Sequence, residues 1–152
     1  MKSGLEAGFL LSLTMTAKAL YRPVELGAVA LLEKDAKILL VRHSYFPAWS
    51  FPAGGVSRHE PPEEAVVREM QEEVGLKRAS TPVLFGLYRR PCGYASNLNI
   101  VYHMRVEELA FKPNLEVREI LFVDPADPPP NTSCGTLRRL AEFLGAPKSA
   151  YW

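Results

Sequence analysis

Cysteine is nearly absent: Cys92 and Cys134 are the only two in 152 residues, and neither sits in a CxxC or zinc-ligand spacing. A disulfide framework and a structural zinc site are thereby excluded, and two such thiols fit a reducing, cytoplasmic setting. An excess of one charge is missing as well. Lys and Arg total 18 and Asp and Glu 17, a formal net charge of +1. Neither a polybasic footprint for long nucleic acid nor the charge block of a disordered tail is present. No apolar run approaches the ~20 residues that cross a bilayer, which argues against a membrane protein. Repeats are lacking, and the one biased stretch is residues 124–131, where four prolines preclude regular structure. What remains is an ordinary composition, 47% hydrophobic and 23% charged. A chain of this length buries about 68–70% of its unfolded surface. It is expected to form a single domain over residues 1–152.

Residues 24–33 are largely aliphatic, Lys34-Asp35-Ala36 supplies a turn, and residues 37–42 read as a second strand, together a hairpin. Residues 43–52 carry two prolines and four aromatics and predict a loop. A charged helix follows Ala53-Gly54-Gly55 and runs to Val74, where Gly75 is a natural stop. Residues 81–90 predict a strand and residues 91–97 a loop. Leu98, Ile100, Tyr102, Met104 and Val106 then alternate with the period of a half-buried strand. Residues 120–123 make one more short strand. Leu137, Leu140, Ala141 and Leu144 fall at helical spacing and predict a helix over 136–145. Near the start, Leu5, Phe9, Leu13, Ala17 and Leu20 form one helical stripe, so residues 1–21 are expected to be a docked amphipathic helix. The competing reading is a signal or surface anchor: Lys2, the apolar residues 9–13 and Ala17-Lys18-Ala19 imitate a leader, although Glu6, Thr14 and Thr16 interrupt it. Strands at both ends with helices between and after them predict a curved mixed β-sheet with helices packed on it, an α+β class of fold.

Chemistry concentrates in residues 54–76. Gly54 is followed after five residues by Glu60, and after seven more by Arg68-Glu69-Met70-Gln71-Glu72-Glu73-Val74-Gly75-Leu76. At about 100° per residue, Val66, Val67, Met70 and Val74 share one arc, and Glu69, Glu72 and Glu73 share the neighbouring one. Glu64 and Gln71 point into solvent. Such a helix can bury its apolar arc while offering three carboxylates at the rim of a cleft. Pro61 and Pro62 suit the first turn, where a missing N–H costs nothing, and Glu63 and Glu64 suit the helix dipole. Carboxylates at i, i+3 and i+4 repel by roughly 0.2–0.5 kcal/mol per pair, and a cation between them reverses that sign. All-oxygen donors without cysteine favour Mg²⁺ or Mn²⁺, and Mg²⁺ is commonly shared with substrate phosphates. Arg68 is placed to orient one of the glutamates. The competing reading is a solvated acidic helix laced by i,i+4 ion pairs. The preceding Gly54, the Glu60 spacing and the terminal Gly75-Leu76 weigh against it.

The segment resembles the signature of the Nudix hydrolases, G-x5-E-x7-R-E-U-x-E-E-x-G-U, at every fixed position. The chance of such a match at a given register is on the order of 10⁻⁸. The box covers 23 of the 152 residues, and a weaker likeness extends over residues 41–52. The resemblance implies an α/β/α sandwich with a loop–helix–loop catalytic unit. It also implies Mg²⁺-dependent hydrolysis of a diphosphate linkage in a nucleoside diphosphate joined to another moiety: a nucleotide sugar, ADP-ribose, a dinucleotide or a nucleoside triphosphate. By the same likeness Glu69, Glu72 and Glu73 are metal ligands together with the Gly54 carbonyl, Arg68 orients a glutamate, and Glu60 is a secondary acidic position. His59 departs from the pattern, standing where a glycine often precedes the first glutamate.

Water activated beside the cation is expected to attack phosphorus, with Glu69 or a downstream acid, Glu116 or Glu119, as base. Arg42, Tyr45, Trp49, Arg89 and Tyr94 are the candidate substrate contacts, strand-edge charge and packing being the competing readings. Arg90 could likewise touch phosphate. His103 reads as structural. Pro91 and Tyr94 lie at offsets after the box that in some families separate ADP-ribose from dinucleoside-polyphosphate hydrolases, and having both leaves the substrate open. A partner of another kind is not called for, and a homodimer is left open. The other function class is a non-catalytic Nudix-like domain that senses a nucleotide or binds a protein, although such domains usually lose glutamates that this box keeps.

Overall fold

The computed structural model describes residues 24–92 and 95–152, with side chains described outside 91–96. The helix expected over residues 1–21 and the candidate contact Tyr94 lie outside the described residues. Strand β1 (Val24–Lys34) turns into β2 (Lys37–His43) through Asp35 and Ala36, both in the left-handed region at φ 52° and 60°. Two consecutive positive-φ residues match the twist of a two-residue hairpin. The two strands pair only next to the turn, at Glu33 with Ile38 and Lys34 with Lys37. Beyond that they splay, and the chain after β2 returns between them. Val41 bridges Ser50, the Ala30 N–H donates to the Pro52 carbonyl, and β3 (Ala53–Gly55) pairs with residues 27–29 of β1. Part of the expected loop over 43–52 is therefore extended chain wedged between two strands.

Helix α1 (Pro62–Val74) starts where the sequence predicts, with Pro61 as extended N-cap, and ends on Gly75 at φ 68°. A Cβ on Gly75 would stand 2.3 Å from the Ala110 carbonyl oxygen, so packing adds to the conformational reason for glycine there. Strands β4 (Leu76–Ala79), β5 (Val83–Cys92), β6 (Ala95–Leu109) and β7 (Val117–Val123) and helix α2 (Cys134–Phe143) complete the described fold. The sheet runs β4-β6-β1-β2-β7, with β3 against β1 and β5 against β6. The central β1–β6 pair is parallel and the other pairs are antiparallel.

The strands' two-residue period divides the core between the sheet's faces. Ala28, Ala30, Leu32, Ile100 and Met104 pack with Val66, Met70 and Val74 of α1. Val29, Leu31, Leu40 and Val101 pack with Leu140 of α2. The result is a curled mixed sheet between two helices. It is the expected fold class, and three details differ from the sequence reading. Residues 91–97 are mostly strand rather than loop, because β5 and β6 stay paired out to Cys92 and Ala95. β4, too short and charged to show a period, was not foreseen. The last helix begins at Cys134, capped by the Ser133 side chain on the Thr136 N–H, two residues before the expected start. Its buried face is not the aliphatic stripe, since Leu137 and Leu144 are 40% and 55% exposed. Thr136, Arg139 and Leu140 face the sheet instead. Arg139 lies 3.8 Å above the Tyr88 ring and donates to Glu142 at 2.6 Å. Aromatic and charge contacts thus set the rotation of this helix, not apolar period.

An L-residue in the left-handed region costs roughly 1–2 kcal/mol. Ala36→Gly is therefore expected to stabilise the protein by about 1 kcal/mol, raising Tm by about 2–4 °C. Thermal melting checks this, and an unchanged or lowered Tm contradicts the turn geometry.

Candidate active site

Helix α1 presents its acidic residues to a cleft of about 940 Å³ whose lining includes Gly54, Gly55, Glu60, Glu69, Glu73 and Glu116. Arg68 is the organising group. Its Nε donates to Glu60 at 2.8 Å and one terminal nitrogen to the other Glu60 oxygen at 2.9 Å, a bidentate pair. It also donates to Glu69 at 2.8 Å and to the Gly55 carbonyl at 3.1 Å, with Glu72 more distant at 3.5 Å. The Ser57 N–H closes the loop by donating to Glu60. Arg68 holds the Glu60 carboxyl far below the usual carboxylate range, at about 2, with help from Ser57. The guanidinium is raised in turn by Glu60 and Glu69. His59, the departure from the glycine pattern, keeps the left-handed conformation at φ 69°.

The three carboxylates of the box do not sit alike on the rim. The Glu72 side chain is 62% exposed and that of Glu69 14%. Glu73 as a residue is only 5% exposed. Glu69 lies flat against the returning strand: a Cβ on Gly54 would stand 1.9 Å from its carboxyl carbon. Glu73 is covered because it follows Met70 into the packed side of the helix. It accepts a hydrogen bond from the Ala53 backbone, while its Oε2 is buried with no partner. Burial pushes its carboxyl up to about 8, and the nearby charges of Glu69, Glu116 and Glu72 add to this.

Glu116 reaches the cleft through a turn that sequence reasoning missed. The Asn114 side chain donates to the Glu73 carbonyl at 2.9 Å and accepts from the N–H groups of Glu116 and Val117. Ser44 fastens the same turn by its hydroxyl to the Leu115 carbonyl and its N–H to the Glu116 carbonyl. Pro113-Asn114 was a readable turn signal, but nothing in the sequence ties it to α1. Glu119 is not brought to the cleft. Its carboxylate pairs with Arg42 in the register of β2 against β7.

A second cavity of about 480 Å³ adjoins the acidic cleft and shares Gly27, Tyr45, Ala53 and Gly54 with it. Tyr45 stands at the junction of the two cavities. Trp49 does not line either cavity: it packs against the core with the Arg42 guanidinium 5.4 Å from its ring centroid. Arg89 pairs its backbone with residues 150 and 152, and its neighbour Arg90 lines the second cavity. His43, Asn99 and Trp152, none of them chosen from sequence, line it too. His43 is 8% exposed with Nδ1 unpartnered, and burial lowers its pKa from the ordinary imidazole value. Asn97 and Asn99, two amides on the face of β6 opposite the alternating Leu98, Ile100 and Tyr102, were the available signal. His103 lies away from the site, hydrogen-bonded to Glu33 at 2.8 Å.

Glu73, Glu69 and the Gly54 backbone offer hard oxygen donors of the kind Mg²⁺ and Mn²⁺ take, and the orphan Oε2 of Glu73 is a buried acceptor lacking a positive partner. Among the described residues no three His, Cys, Asp or Glu side chains are grouped so as to hold a metal ion by themselves. Water and substrate phosphate would complete the shell, as is usual for Mg²⁺.

The family model for the NUDIX domain matches residues 22–139. This chain belongs to the NUDIX family. Among solved structures it is similar to a MutT NUDIX hydrolase from Burkholderia pseudomallei, with TM-score 0.67 and 24% identity over 78% of this chain and 96% of that one. A UDP-X diphosphatase gives TM-score 0.71 at 18% identity, over 95% and 74%. At such identities the likeness is one of fold. Among curated relatives, the RNA pyrophosphohydrolase of Hydrogenovibrio crunogenus is 42% identical over 64 residues, 42% of this chain and 38% of that protein. The RNA pyrophosphohydrolase of Halorhodospira halophila is 48% identical over 56 residues, 37% and 30%. The match thus spans about a third of these relatives' length. No helix among the described residues of the Nudix chain is long and apolar enough to cross a membrane.

Two outcomes follow. The folded, metal-free protein keeps a proton on Glu73 up to about pH 8, while the unfolded chain releases it near 4.5. Its contribution to stability is fully present below pH 4.5 and is lost as pH rises through 8, on the order of a few kcal/mol. Urea melts of chelator-treated protein between pH 5 and 9 should show this decline, and Glu73→Gln should flatten it. Gly54→Ala should displace the Glu69 carboxylate and weaken Mg²⁺ binding by about 10–100-fold, measured by calorimetric titration. Unchanged affinity would place the cation elsewhere.

Proposed function

We propose that this Nudix protein hydrolyses a diphosphate linkage in a nucleotide, using Mg²⁺ or Mn²⁺ held by Glu69, Glu73 and the Gly54 carbonyl, with exposed Glu72 at the outer edge. The observation that carries this reading is the buried, half-satisfied Glu73 carboxylate beside Glu69 and Glu116. Ionising such a group without a positive partner costs several kcal/mol, which is why it holds its proton in the metal-free protein, and a cation removes that cost. The cation, when bound, would supply the positive charge that offsets negative charge developing on phosphate oxygens.

The chain's own residues do the rest. Arg68 fixes Glu69 and clamps the 55–60 loop through Glu60, so the donors are held before substrate arrives. Glu116, exposed at the cleft and free of the Arg42 pairing that engages Glu119, is the better-placed base. The adjoining cavity, with Tyr45 at the junction, takes the nucleoside end. The near-neutral charge favours a mononucleotide-sized substrate over a long nucleic acid, and the relatives' name, RNA pyrophosphohydrolase, adds a pyrophosphate linkage on RNA to the candidates.

A panel assay with Mg²⁺ should include ADP-ribose, dinucleoside polyphosphates, nucleotide sugars, nucleoside triphosphates and a short 5′-triphosphate RNA. Turnover of at least one, with none of simple phosphomonoesters, is expected. Absence of turnover throughout, with nucleotide binding intact, would instead favour the sensing domain. On the best substrate, Glu73→Gln should cut kcat by at least about 10–100-fold, and solvent-facing Glu64→Gln should leave it near normal. Glu116→Gln should lower kcat by about 10²-fold or more, while Glu119→Gln stays within a few-fold of the parent. Reversed outcomes for the last pair would exchange the base.

A further inference from the structure

After α2 the chain doubles back along β5. The Ser149 N–H donates to Glu142 at 2.8 Å, the Arg89 N–H donates to the Ala150 carbonyl at 2.9 Å, and the Trp152 N–H donates to the Arg89 carbonyl at 3.0 Å. Arg138 and Arg139 reach the carbonyls of Trp152 and Tyr151. Beneath this strap, Arg139 is fully buried, lying over Tyr88 and bonded to Glu142, which also accepts the Tyr88 hydroxyl at 2.8 Å. So many anchors fix one side chain in particular. The Trp152 indole meets Tyr88 edge-on at 6.1 Å and forms one wall of the cavity adjoining the acidic cleft. Opposite chemistry is present in the same cavity: Tyr45, Phe46, the Asn99 amide, Arg90 and the unpartnered Nδ1 of buried His43. Gly135 is glycine at the one point where a Cβ would stand 2.2 Å from the indole Nε1. Helix α2 thereby leaves room for this ring.

We propose that Trp152, carried by the 146–152 strap, is a specificity-determining residue that selects substrates bearing a flat heteroaromatic base. The proposal rests on reading the acidic cleft as the diphosphate end, since the shared residues Gly27, Tyr45, Ala53 and Gly54 join the two cavities. The unpartnered ring nitrogen of His43, an amide and an arginine give a base polar edges to meet, and the indole gives it a face. Base–aromatic stacking is tolerant of base identity, so the indole selects for the presence of a base while the polar groups rank the bases.

Trp49 and Trp152 are the two tryptophans of the chain, which allows a test independent of catalysis. In Trp49→Phe protein with chelator present, titration with AMP, GMP, CMP and UMP should quench indole fluorescence saturably for at least one nucleotide, and ribose 5-phosphate should not. By equilibrium dialysis, Trp152→Ala should weaken that nucleotide about 10-fold, Trp152→Phe should restore most of the affinity, and Gly135→Ala should imitate Trp152→Ala. In turnover assays Trp152→Ala should raise KM for the nucleoside substrate with kcat nearly constant, and leave phosphoribosyl pyrophosphate unaffected. No fluorescence response to any of the four nucleotides overturns the proposal, as does a Trp152→Ala defect that falls equally on kcat and on the base-free substrate. Loss of all turnover in the parent, with nucleotide quenching intact, would instead count against the hydrolase reading alone.

Discussion

Arg68 reaches three carboxylates and one backbone carbonyl, and the placement of the acidic cleft depends on that reach. Glu60 belongs to the loop before α1, Glu69 and Glu72 to α1 itself, and Gly55 to the strand inserted beside β1. One guanidinium therefore ties together the three segments that form the cleft floor. Its planar fork suits this task in a way that a lysine ammonium does not, because two parallel donors engage Glu60 while a third direction remains for Glu69. Having spent its donors there, Arg68 leaves Glu73 and Glu116 unneutralised by any bond described for it. The local excess of negative charge is hidden in a chain whose formal total is +1.

The second constraint is the wedge between β1 and β2. If the hairpin had paired along its full length, the chain would have no route by which to bring Gly54 under α1. Splaying after two residue pairs opens that route, and hydrogen bonds from Ala30 to Pro52 and from Val56 to Leu26 refill the vacated positions. The backbone groups of β1 stay satisfied, as buried groups must. Packing on α1 then decides which residues fit. At Gly54 a side chain would overlap the Glu69 carboxylate, so glycine here concerns close approach rather than unusual φ.

Much of this was legible in the sequence where a local period or a dense motif carried the information. The start of α1, its Gly75 stop, the alternating residues of β6 and the Gly54–Glu73 constellation all have their cause within a few residues. What escaped was set by contacts distant in sequence. Asn114 acts on Glu73 from 41 residues away, and Trp152 reaches the cavity through anchors on β5. The face of α2 was misjudged because Leu137 and Leu144 look like core on a helical wheel, whereas Arg139 finds Tyr88, Glu142 and the strap only after the fold has formed. Glu119 was a candidate by proximity in sequence to Glu116, and the bulge in pairing between Arg42 and His43 leaves the two acids in different surroundings.

The two helices also show how buried charge divides between architecture and chemistry. Glu142 is inside the protein, and burial alone would raise its pKa. Donors from Ser149, Tyr88 and Arg139 outweigh that and hold it below the ordinary value. Its negative charge is met, and its role is to fasten the strap. Glu73 is equally buried, yet its one described hydrogen bond is outweighed by burial and by neighbouring carboxylates, and its pKa rises. A packed, metal-free fold gains nothing from placing that carboxylate there, since a well-packed apolar residue of similar volume is often neutral or stabilising at a buried charged position. The arrangement makes physical sense when a positive ligand enters beside it. On one face of the sheet a charge is satisfied by the chain itself, and on the other it awaits a partner from solution.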